Sequence, residues 1–99
     1  MSDVPAPQAA VVLFVAGGAP RSAAALRILM AAIAASGRPE STFRIEVVDV
    51  LRDPARALEA GLLATPSLAL IPPGGTRRWF VGDFERPELL AGWLADALG

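Results

Sequence analysis

Cysteine, histidine, lysine, tyrosine and asparagine are all missing from this 99-residue chain. Without Cys there is no disulfide framework, no thiol nucleophile and no redox pair. Without Cys or His, a structural zinc site and a His-based catalytic triad are both excluded. No apolar run reaches the length of a membrane span, because Arg21, Arg27 and Arg38 interrupt the longest one. The start, Met1-Ser2-Asp3-Val4-Pro5, lacks the basic and apolar regions of a signal peptide, so a cytoplasmic protein is expected. A net charge of −1 gives no broad electrostatic reason to bind nucleic acid or acidic lipid. What survives is acid/base work by carboxylates, or no chemistry at all.

What is present is apolar. Hydrophobic residues make up 54% and charged ones 19%, which excludes disorder through low hydrophobicity. A chain this short buries roughly 60–65% of its unfolded surface, enough for one core. Part of the apolar excess is therefore expected on a partner surface. Residues 1–8, with Pro5 and Pro7, read as a flexible lead-in, and 9–99 as a single domain.

Ala10-Val11-Val12-Leu13-Phe14-Val15 is apolar on both faces, the pattern of a buried, central, parallel strand. It stops at Gly17-Gly18, after which Pro20 suits the first position of a helix. Leu26, Leu29, Met30 and Ile33 recur as one face of that helix, which ends near Ser36-Gly37. Phe43 to Val50 reads as a second strand. Asp53-Pro54 opens a short helix, with the carboxylate as cap and Pro at its first position, and Gly61 ends it. Ser67–Ile71 and Arg77–Val81 flank Pro72-Pro73-Gly74-Gly75-Thr76 as a hairpin, and Pro87 starts a terminal helix. Leu90, Trp93, Leu94, Ala97 and Leu98 form its apolar face. The order β-α-β-α-β-β-α is an α/β arrangement of thioredoxin-like type, a mixed four-stranded sheet flanked by three helices.

Three stretches in that order resemble the KaiB family. Phe14-Val15-Ala16-Gly17-Gly18-Ala19-Pro20-Arg21-Ser22 is similar to the family's strand-to-helix turn. Val48-Asp49-Val50-Leu51-Arg52-Asp53-Pro54 is similar to its second such turn. Leu63-Ala64-Thr65-Pro66-Ser67-Leu68, running to Arg77-Arg78 and Gly82-Asp83, is similar to its third motif. The resemblance spans roughly residues 11–94. It implies a non-enzymatic adaptor, without cofactor or metal, that binds a KaiC-type ATPase ring and meets KaiA- or SasA-like proteins, as monomer or homo-oligomer. It further implies fold switching between a tetrameric ground state, β-α-β-β-α-α-β, and the thioredoxin-like state. Where cyanobacterial members carry basic residues, this chain has Ala24, Gly61 and Leu70. Other readings are a stand-alone SasA-type sensory domain and a degenerate thioredoxin-like protein, the latter opposed by the missing Cys.

Composition bears on the choice of fold. The ground state needs a strand near the C-terminus, yet residues 82–99 contain no Val, Ile or Thr. Glu88–Leu98 is dominated by Ala and Leu, which favour helix by some tenths of a kcal/mol per residue. Pro72-Pro73-Gly74-Gly75 is a poor helix segment, since Pro costs about 3 kcal/mol and Gly about 1 kcal/mol inside one. The thioredoxin-like state is expected to dominate, with helix and not strand over 88–94.

Each candidate site has a plainer reading beside it. Thr65-Pro66 stands where thioredoxin-like folds carry a cis-proline; it is either a slow isomerisation coupled to switching or a static turn. Asp49, Asp53, Asp83 and Glu85 are the carboxylates available for catalysis, but Asp53 has a capping task and Asp83 sits in a Gly-Asp turn. Gly17–Pro20 lacks the Lys and Ser/Thr of a phosphate-binding loop. Arg77-Arg78 beside Trp79-Phe80 is either an interaction strip or charge protecting an edge strand, with one Arg on each face. By resemblance, Arg77, Arg78, Gly82 and Asp83 are partner-binding.

Overall fold

A computed structural model describes residues 7–81 and 84–98. The elements run β1 (Ala9–Val15), α1 (Pro20–Ala35), a 3₁₀ turn (Glu40–Thr42), β2 (Phe43–Asp49), α2 (Pro54–Ala60), β3 (Ser67–Ile71), β4 (Arg78–Val81) and α3 (Pro87–Leu98). The strands form one mixed sheet in the order β2-β1-β3-β4. β1 is parallel to β2, with Ala9 opposite Phe43 and Val15 opposite Asp49, and antiparallel to β3, with Ala10 opposite Ile71. β4 closes the hairpin, Trp79 lying opposite Ala69. The thioredoxin-like order is thus the one observed. Residues 88–94 are helical, so the ground-state alternative is not the fold seen.

Both faces of β1 are covered, which explains its unbroken apolar run. Val11, Leu13 and Val15 join Leu68 and Leu70 beneath α1 and α3, where Ala25, Leu29, Leu90 and Leu94 complete the main core. Phe14 turns the other way, packing with Val48 and Ala69 under a thinner layer of Ala60, Leu62 and Trp79. The aromatic rings divide accordingly. Phe80 meets Phe84 edge-on at 5.2 Å and Trp93 at 5.5 Å on the first face. Trp79 lies 5.7 Å from Phe14 on the second.

Three details differ from the sequence pattern. The inward face of α1 is Ser22, Ala25, Leu29, Ala32 and Ile33, whereas Leu26 is exposed and Met30 only half-buried. Small residues at 22, 25 and 32 let the helix come close to its neighbours, and close approach outweighs the larger side chain at 26. β2 ends at Asp49 rather than Val50, because the Asp49 side chain is committed to the following turn. The 3₁₀ turn before β2 has no signature in the hydrophobic pattern.

Candidate protein-interaction site

The parallel strands β1 and β2 end side by side, and the turns that leave them are joined by one carboxylate. Asp49 Oδ1 accepts the Gly17 N–H at 2.9 Å and the Leu51 N–H at 3.0 Å. Its Oδ2 lies 3.8 Å from the Arg52 Nε. The Gly17 N–H, followed by that of Leu51, holds the Asp49 carboxyl below its ordinary value, because both donors favour the charged form. Gly17 has φ +56, and a Cβ there would sit 3.1 Å from Leu51 Cδ1. A second bond secures the first turn: the Ala16 N–H donates to Ser22 Oγ at 3.0 Å.

This bracing aims the β2–α2 segment outward. Asp53 caps α2, its Oδ1 accepting the Arg56 N–H at 3.4 Å with Pro54 at the first position. Gly61, at φ 72, ends the helix in the left-handed region that glycine adopts without a Cβ penalty. No residue of α2 is buried. Its tether to the sheet is partly ionic: Arg56 donates from Nη1 and Nη2 to Glu46 Oε2 and Oε1, each at 2.9 Å. That hydrogen bond from Arg56 is the main cause holding the Glu46 carboxyl below its usual range. Around this helix Leu51, Leu58 and Leu63 are 72%, 83% and 97% exposed. Isolated exposed leucines are ordinary on a protein surface, but three within thirteen positions (51 to 63) on one segment are not.

The residues singled out by sequence are distributed around this segment. The Thr65–Pro66 peptide is cis, and Ser67 Oγ donates to the Ala64 carbonyl beside it. The Arg77 guanidinium stands 5.1 Å above the Trp79 ring. It borders a groove of about 210 Å³ floored by Val12, Phe14 and Ala69, with Arg56 and Glu59 of α2 opposite. Arg78 pairs with Leu70 and belongs to the other face, so the two arginines are not brought together. Gly82 and Asp83 lie outside the described residues. A larger cleft, about 510 Å³, opens between the start of α1 and the approach to α3, lined by Pro20, Arg21, Ala24, Ile28, Pro66, Phe84 and Glu85. Among the described residues no three acidic side chains converge as a metal site requires.

Sequence reasoning named Asp49 only as an available carboxylate, and missed its bracing role and the exposed leucines. Half of the Asp49 role has a local signal, since an Asp commonly bonds the N–H two residues on. The bond to Gly17 spans 32 residues and has none. Composition places part of the apolar excess on a surface without saying which residues, and only the placement of α2 shows that Leu51, Leu58 and Leu63 are among them.

The KaiB domain family matches residues 12–95. The chain is 37% identical over 81 residues to the circadian clock oscillator protein KaiB1 of Synechocystis sp., covering 81% of this chain and 74% of that one. It is 38% identical over 81 residues to the circadian clock oscillator protein KaiB of Parasynechococcus marenigrum, covering 81% and 75%. In structure it is similar to the N-terminal domain of Synechococcus elongatus SasA, with TM-score 0.73 at 24% identity over 95% of this chain and 86% of that one. Mitochondrial thioredoxin 3 of Saccharomyces cerevisiae gives TM-score 0.70 at 22% identity over 90% and 78%. The last two likenesses concern the fold alone.

Proposed function

The chain belongs to the KaiB family, and from that premise we propose that it is a non-enzymatic clock regulator that docks on a KaiC-type ATPase ring. The observation that carries this reading is the segment from Leu51 to Leu63, which presents three exposed leucines, on and on either side of a helix with no fully buried residue. Burying three leucines against a partner supplies about 1.5–3 kcal/mol each, before the cost of association is subtracted. Arg77 borders α2 across the groove and adds charge to the same side, and Arg78, Gly82 and Asp83 extend the contact by resemblance. A thioredoxin-like scaffold without Cys or His anywhere in its sequence suits docking better than redox chemistry.

The regulator acts in the cytoplasm as one domain over residues 9–99, and exchanges with the ground-state fold. KaiA- or SasA-like proteins meet it on or near the ATPase. The weakly anchored α2 supports the exchange, and the Ala- and Leu-rich α3 favours the thioredoxin-like side. Mixing the full chain with the KaiC-type ATPase of its own organism and resolving the mixture by size exclusion tests the central statement. Co-elution is expected in ATP or in ADP. Separate elution in both nucleotides overturns it.

A further inference from the structure

The cleft of about 510 Å³ beside α1 has no part in the docking surface, since none of Leu51, Leu58 and Leu63 lines it. Small-molecule sites are clefts of about 300–1,000 Å³ with mostly apolar walls and a few polar groups, and this one has that character. Its walls are preformed. Pro20 and Pro66 are rings of fixed φ, and Ile28 packs against the main core. Phe84 is 4% exposed and held edge-on to Phe80 at 5.2 Å. Ala24, one turn before Ile28 on α1, is small enough to leave the space open. Two side chains at the cleft are charged. Arg21 is exposed and makes no hydrogen bond or ion pair among the described residues, and the first turn of α1 has no acidic residue to hold it. Glu85 is already engaged within the chain. The charge left over for a ligand is therefore positive.

We propose that this cleft binds a small aromatic carboxylate, its ring among Pro20, Pro66 and Phe84 and its carboxylate on Arg21. Three of the five apolar wall residues are themselves rings, whose flat faces suit a flat ligand better than a branched one. A guanidinium presents a planar fork that matches the two oxygens of a carboxylate. Glu85 limits the charge that fits. A monoanion meets one cation and one anion, whereas a phosphate dianion doubles its repulsion from Glu85. An amine would face the unpaired Arg21, and a neutral ring would leave that guanidinium without a partner. All the groups involved belong to one chain, so the site is independent of any ATPase docking.

Amide NMR titration of the full chain with naphthylacetate is the test, with thermal unfolding to confirm that each variant folds. Saturable shifts are expected at Arg21, Ala24, Ile28, Phe84 and Glu85, with a Kd of about 0.1–1 mM. Naphthylethanol, which keeps the ring and lacks the charge, should bind about tenfold more weakly. Arg21→Gln removes an exposed side chain and should leave the fold intact. It is expected to bring naphthylacetate down to the level of the alcohol while leaving the alcohol's affinity unchanged, a split that a merely structural role would not produce. Ala24→Phe, which fills the cleft, should abolish binding of both compounds. The proposal is overturned by the absence of saturable shifts up to about 10 mM, by equal affinity for acid and alcohol, or by undiminished binding in Arg21→Gln. Shifts centred on Leu51 to Leu63 would overturn it too, since they would show the compound coating the exposed leucines instead.

Discussion

Asp49 accepts a hydrogen bond from Gly17 at 2.9 Å across 32 residues of sequence, and so ties the end of β2 to the turn that leaves β1. The same oxygen takes the Leu51 N–H, and one side chain sets the exit directions of both parallel strands. Replacing it with alanine strands two backbone donors. Asp49→Ala is expected to lower the thermal midpoint by several degrees, and Asp49→Asn, which keeps an acceptor, by less. An unchanged midpoint in both variants would remove the bracing role.

The Asp49 carboxyl also gives stability a pH dependence of definite sign. Its folded value lies below the ordinary one because the Gly17 and Leu51 N–H groups stabilise the anion. A depressed folded value contributes stability that is present above the unfolded value, about 3.9, and lost as pH falls toward the folded one. Acidification below about pH 4 should therefore destabilise the wild type more than Asp49→Asn. Parallel urea titrations at successive pH values measure the difference, and identical slopes for the two proteins would contradict it.

Gly17 resists substitution. Its φ of +56 and the 3.1 Å approach of Leu51 Cδ1 to a would-be Cβ act together. Gly17→Ala should cost about 1–2 kcal/mol in chemical denaturation, with Gly18→Ala, whose Cβ meets nothing within 4 Å, as the neutral control.

Leu58→Glu and Leu63→Glu separate docking from folding. Both side chains are almost wholly solvated, so stability should change by no more than about 0.5 kcal/mol. Affinity for the KaiC-type ATPase should fall at least tenfold in a pull-down or titration. Undiminished binding in the pair would move the docking surface elsewhere.

Local stability should be uneven. α2 buries no residue, while β1 is paired on both edges and covered on both faces. Native-state hydrogen exchange should show α2 amides opening well before those of Val11 to Phe14. Equal protection of the two elements would show that α2 is anchored more firmly than its packing indicates.

The legible parts of this fold are those set by short-range rules. β1 declares itself because both its faces are buried, and the apolar run is the direct trace of that. Pro20, Asp53-Pro54 and Pro87 mark helix starts through fixed φ and local capping, and all three helices begin there. The face of α1 is less legible. Alanine at seven of its sixteen positions leaves several stripes nearly equal in apolarity, and the approach of α3 chooses among them. Asp49 and the exposed leucines depend on chain segments that meet only in the finished fold. Spacing carries half of the Asp49 role and none of the leucines' exposure.

The position of β1 in the sheet has a consequence for how the protein is made. The strand precedes both of its neighbours in the chain, one at residues 43–49 and the other only at 67–71. The helix that completes the cover of its inner face ends at Leu98. During synthesis, therefore, a seven-residue segment of Ala, Val, Leu and Phe lacks its second neighbour until residue 71 and part of its cover until α3 is made. Until α3 is available, this exposed apolar segment is expected to engage chaperones that bind hydrophobic segments.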